Sequence, residues 1–128
     1  MADLRYLLDS NICIYVLEGA GDHGSLRAAL ENLEPGSAAT SAITYAEVLH
    51  GRLSLIDEVA ATERFFGAFP VLPFDAAAAR RFTDIPFKRG RFDHLIAAHA
   101  LSLDITLVTA NIRDFADIPG LRVEDWTR

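Results

Sequence analysis

The feature that most constrains this chain is an alternation. Short apolar or small-residue runs are separated, along the whole sequence, by stretches with helical periodicity. Residues 5–8, Arg-Tyr-Leu-Leu, read as a buried strand ending at Asp9. Ser10 and Asn11 are good caps for a following helix, in which Ile12, Tyr15 and Val16 recur at helical spacing until Gly19 and Gly21 stop it. A second helix is predicted over 23–34, with Leu26, Leu30 and Leu33 on one face and Pro35-Gly36 as its break. A strand of small residues over 37–41 leads to helices over 42–52 and 54–67, where Gly51 ends or bends the first. The strand over 70–74 is flanked by prolines, which places it near an edge. Asp75 then caps a helix over 76–84, and a basic loop over 85–92 follows. Asp93 opens an apolar helix to Leu103, residues 105–109 form the clearest strand, 112–116 make one helical turn, and 121–123 a last short strand. Such alternation implies a largely parallel sheet with helices on both faces, a three-layer α/β/α sandwich. In such sheets the functional crevice lies beyond the carboxyl ends of the strands.

Length and composition narrow the class. At 128 residues the chain is expected to be one domain over 1–128. With 51% hydrophobic and 23% charged residues, a disordered or low-complexity polymer is excluded. No run reaches the ~18 consecutive apolar residues of a membrane helix. Asp3 stands where a secretory leader would carry basic charge, and the lone Cys13 cannot form an internal disulfide; both suit a reducing cytoplasm. The net charge of −6 argues against general nucleic-acid binding. Yet five of the twelve basic residues fall within 80–91: Arg80, Arg81, Lys88, Arg89 and Arg91. They form either a solvated face or a phosphate contact.

Four acids fall where that crevice should be. Asp9 directly follows the first strand, and Asp114 follows the 105–109 strand by five residues. Asp93 opens a helix. As single residues, Asp9 and Asp93 are explained as helix caps and Asp114 as a surface acid. Glu47 is harder to dismiss: it lies mid-helix between the apolar Ala46 and Val48, so its carboxylate is aimed at a cleft or narrowly exposed. No lysine or arginine is adjacent to Asp9 or Glu47 in sequence. Converging carboxylates without a basic partner repel one another and call for a hard, oxygen-preferring cation such as Mg²⁺ or Mn²⁺. His94 and His99 are five residues apart and make no zinc pattern. A haloacid-dehalogenase-type phosphatase would need an aspartate where Asn11 stands, and a receiver domain a lysine near Thr109-Ala110-Asn111.

At these residues the chain closely resembles the PIN-domain family, and within it the VapC-type toxins of bacterial toxin–antitoxin pairs. The resemblance rests on Leu7-Leu8-Asp9-Ser10-Asn11, Thr44-Tyr45-Ala46-Glu47-Val48-Leu49-His50-Gly51, Phe92-Asp93-His94-Leu95-Ile96-Ala97-Ala98-His99-Ala100, Leu107-Val108-Thr109-Ala110-Asn111 with Asp114-Phe115, and Gly120-Leu121 to Asp125-Trp126. It implies a metal-dependent endoribonuclease on a PIN-like α/β/α fold. The metal-site and catalytic acids would be Asp9, Glu47, Asp93 and Asp114, supported by Ser10, Asn11, Thr109 and Asn111. It also implies an RNA substrate, a homodimer and inhibition by a cognate VapB-like antitoxin. The competing reading is a PIN-like binding module with weak or no nuclease activity, acting on DNA through its antitoxin. The presence of all four acids speaks against that.

Overall fold

The computed structural model describes residues 3–19, 24–52, 56–86 and 92–128. Five parallel strands form one sheet: β1 (Tyr6–Leu8), β2 (Ala38–Ser41), β3 (Val71–Leu72), β4 (Thr106–Val108) and β5 (Val123–Glu124), in the order β3-β2-β1-β4-β5. β3 is an edge strand, as its flanking prolines predict. The chain builds outward from β1 through β2 to β3, then returns to the other side of β1 for β4. The gap between β1 and β4 is therefore the topological switch point, where the crevice of an open α/β sheet opens.

Side-chain alternation splits the core between the two faces. Leu7 and Leu107 pair in register and turn to one face, with Ile96, Ala97 and Ala100 of helix α6 (Phe92–Leu103). Leu8 and Val108 turn to the other, with Ile12 and Cys13 of α1 (Ser10–Glu18), Leu26 of α2 (Gly24–Glu31), and Phe65 and Phe66 of α4 (Ile56–Ala68). Helix α3 (Ala42–Arg52) spans both clusters, with Val48 in the second and Ile43 against the first. β2 consists of small residues that are all buried, which lets backbone and helices approach closely. Its Thr40 hydroxyl donates to the Phe69 carbonyl (3.0 Å), and its Ser41 hydroxyl caps α3 by accepting from Ile43 N–H (3.1 Å). Ser41 also meets Nδ1 of buried His99 at 2.9 Å.

Several boundaries differ from the sequence reading. α2 stops at Glu31 rather than 34. Gly51 lies inside α3, which runs to Arg52. α5 (Ala76–Arg81) is capped by Asp75 as predicted, but it tightens into a 3-10 turn over Phe82–Asp84 ahead of Pro86. α6 begins at Phe92, so Asp93 lies inside its first turn and is not its cap; a carboxylate there is favoured by the helix dipole. β5 pairs two residues later than read, because Gly120 (φ 78°) keeps Leu121 in a turn bonded to Ile118. His23, Gly21, Leu55, Lys88, Arg89 and Arg91 lie outside the described residues. Among the described residues, no helix is long and apolar enough to cross a membrane.

Candidate functional site

β1 ends at Leu8, and the next residue both turns the chain and caps α1. Asp9 Oδ1 accepts from Ile12 N–H (3.0 Å), so the capping role read from sequence is real. The cap does not exhaust the residue. Asp9 is only 6% exposed, its backbone N–H bonds to Val108 across the switch point, and its carboxylate also takes a hydrogen bond from the Thr109 hydroxyl. Burial raises its pKa from the ordinary 3.8 to about 6; these hydrogen bonds oppose the rise, and the charges of Asp93 and Glu47 add to it.

Glu47 approaches from the second turn of α3. The Ser10 hydroxyl donates to its Oε1 at 2.6 Å and lies 3.4 Å from the hydroxyl of Thr44, which is fully buried one turn earlier on α3. Partial burial raises the Glu47 pKa, the Ser10 bond opposes this, and Asp93 adds to it. Asp9, Glu47 and Asp93 thus form one electrostatic cluster drawn from three helices. Asp114 joins by a chain of hydrogen bonds instead. Asn111 Nδ2 donates to its Oδ2, Asn111 N–H donates to Thr109 Oγ1 (3.0 Å), and Thr109 donates to Asp9. Asn11 is exposed in the first turn of α1.

The basic residues are placed differently. Arg80 is exposed near the end of α5. Arg81 bonds to Asp84 (2.8 Å) and to the Leu101 carbonyl (3.4 Å). Leu101 lies eight residues beyond Asp93 on α6, about 12 Å along the helix, so Arg81 serves the end of α6 away from the acids.

The donor set suits a hard cation. Among the described residues, carboxylates and neutral oxygens converge, and burial holds the Cys13 thiol behind Asp9 well above the usual thiol range, hence protonated. His94, beside Asp93, is buried edge-on to Phe115, and its ring nitrogens have no hydrogen-bond partner among the described residues. Among those residues, no three His, Cys, Asp or Glu side chains are close enough as oriented to ligate one ion. As oriented, Asp9, Glu47 and Asp114 each engage a protein donor.

Sequence reasoning missed Thr44. Its signal was a hydroxyl one helical turn before Glu47. It also missed that Ile43, Ala46, Glu47, His50 and Phe92 line a common groove of about 520 Å³.

A parallel sheet with carboxylates gathered at its switch point defines a class of α/β proteins built to act on a ligand at that edge. The PIN-domain profile matches residues 6–121. The chain belongs to the PIN-domain family, among its VapC-type members. It is 36% identical to the tRNA(fMet)-specific endonuclease VapC of Shigella flexneri, covering 97% of this chain and 99% of that one. To the protein of the same name from Salmonella typhimurium it is 35% identical, over 96% and 98% of the two chains. Among solved structures, DNA-bound VapBC from Salmonella typhimurium superposes with a TM-score of 0.80 at 32% identity, covering 96% and 98%. VapBC2 from Rickettsia felis, bound to a promoter DNA fragment, gives 0.79 at 27% identity, covering 96% and 99%.

Proposed function

We propose that this chain is a divalent-metal-dependent endoribonuclease, the toxin of a toxin–antitoxin pair. In this reading Asp9, Glu47, Asp93 and Asp114 hold Mg²⁺ or Mn²⁺, and a VapB-like antitoxin inhibits the chain. It works as a homodimer in the cytoplasm, and its one domain occupies residues 1–128. The observation that carries the reading is Asp9: a buried carboxyl, tied into the fold by two hydrogen bonds and raised to about 6 by burial and by two neighbouring acids. The cap explains one of its oxygens; burial beside two further acids goes beyond what a cap requires and suits a bound cation.

The bound ion would neutralise charge on a phosphodiester and acidify a water. The protein supplies the rest. Ile12 N–H and Thr109 fix Asp9, Ser10 fixes Glu47, and Asn111 fixes Asp114. Asp93 or Asp114, each half-buried, orients the attacking water by accepting its hydrogen bond. Lys88, Arg89 and Arg91 immediately precede Phe92-Asp93 in sequence and are proposed to meet backbone phosphates. Relatives matched over nearly the whole chain are named endonucleases or ribonucleases, which favours catalysis over a binding module without activity. The test is cleavage of total RNA by the purified chain, with the new ends sequenced. Cutting is expected with millimolar Mg²⁺ or Mn²⁺ and is expected to stop with EDTA. Undiminished cutting in EDTA would overturn the metal assignment, and no cutting would overturn the enzyme.

A further inference from the structure

The groove beside Glu47 has no role in the site described so far. Ile43, Glu47 and His50 lie four and three residues apart, so with Ala46 they form one face of α3; Phe92 of α6 joins them in the lining. Phe92 is 56% exposed, the most exposed large apolar residue among those described, and it packs into neither core cluster. It directly precedes Asp93 on the first turn of α6, and Glu47 belongs to both groove and acid cluster. A phosphate engaged by the acids would therefore have its adjoining nucleotide at the mouth of the groove.

We propose that this groove takes a nucleobase of single-stranded RNA, stacked on the Phe92 ring, and so selects the nucleotide flanking the cleaved bond. This rests on the reading of the acids as a ribonuclease site. A base suits the groove because its flat apolar faces need a ring and aliphatic walls, and among the described residues of the lining His50 and Glu47 can address its polar edge. A second copy suits it less: seated here, it would bury Glu47 against another chain of net charge −6.

The test uses an RNA oligonucleotide spanning a cut mapped in total RNA, and a twin lacking the base at the flanking position. Wild type is expected to lose about ten-fold in kcat/KM on the abasic twin, mainly through KM. Phe92→Ala is expected to lose about as much on the intact oligonucleotide, lose nothing further on the twin, and flatten the base preference at one position of the mapped ends. Phe92→Trp restores cutting, and the rise in Tm on adding Mn²⁺ is unchanged in both variants. If the Phe92→Ala and abasic losses multiply, or if Phe92→Ala cuts like wild type, the groove proposal is overturned while the ribonuclease reading stands. If Phe92→Ala instead turns a dimer seen by light scattering into a monomer and loses activity with it, a second copy covers the groove and the proposal is likewise overturned. A wild-type chain that cuts no RNA overturns both.

Discussion

The two edges of the sheet treat charge in opposite ways. At the amino edge, Arg122, just before β5, donates from Nη1 to Asp104 Oδ1 (3.1 Å) and from Nη2 to the Asp104 carbonyl (2.7 Å), just before β4. Arg81 likewise pairs with Asp84 and reaches Leu101 near that end of α6. Opposite signs meet and the groups stay largely in solvent. At the carboxyl edge, Asp9, Glu47 and Asp93 carry the same sign, Asp9 is buried, Asp93 and Glu47 raise its pKa, and Asp93 raises that of Glu47. The amino edge is arranged as folding alone would arrange it. Around Asp9 the carboxyl edge gathers like charges at a cost that protonation or a bound cation relieves, and departures of this kind mark functional sites.

The largest effect that tests this contrast is catalytic. Asp93→Asn removes one charge from the acid cluster without removing a cap, because α6 starts at Phe92. The fold should lose no more than the dipole contribution of a first-turn acid, about 0.3–1 kcal/mol, and RNA cutting should fall at least about 100-fold. Circular dichroism and the cutting assay separate the two. A folded variant that cuts at the wild-type rate would remove Asp93 from the site.

Next in size is a stability change whose sign is opposite to that of most substitutions. The folded chain holds the Asp9 proton more tightly than the unfolded chain does. Stability without metal therefore falls as pH rises from about 4 to about 6, and the full cost, about 3 kcal/mol, stands above that window. Asp9→Asn keeps a side-chain oxygen for the Ile12 cap and carries no charge. Without metal it should melt several degrees above wild type at pH 8 and about level with it at pH 4. Millimolar Mn²⁺ at pH 8 should raise wild-type Tm and leave Asp9→Asn unmoved, erasing much of the difference. An Asp9→Asn variant no more stable than wild type at pH 8 would mean that the carboxyl edge stores nothing.

Much of this contrast was legible in the sequence. β1 and β4 were read because Leu7-Leu8 and Leu107-Val108 are apolar on both faces, as central parallel strands must be. The convergence of the acids followed from the alternation of strands and helices. What escaped has physical causes. Aspartate is favourable both as a cap and inside the first turn, so Asp93 could not be assigned to one by type. Arg81 belongs to the basic run over 80–91, but α5 turns it toward the C-terminal end of α6, and local charge counting does not register that. Thr44 is an indifferent helix former whose role appears only when α3 packs against Ser10. Phe92 was read as loop, and nothing in its neighbours says that its ring stays outside the core.

The smallest expected effect falls on the amino edge and sharpens the contrast by being nearly nil. Arg122→Gln removes a charge pair whose side chains are 57% and 90% exposed. Pairs that open to water are worth under about 1 kcal/mol. Arg122 does brace Asp104, which sits in the left-handed region at φ 54°, but aspartate tolerates that conformation without help. The register of β5 is untouched, because Leu107 N–H bonds to the backbone carbonyl of residue 122 whatever its side chain. Tm should shift by no more than a few degrees, by the same amount at pH 5 and pH 8, and less at high salt, where exposed pairs are screened. The Mn²⁺ response and RNA cutting should match wild type. If Arg122→Gln instead weakens the metal response, charge at one edge is felt at the other across the three-residue strands β1 and β4, and the two edges cannot be treated as separate regions.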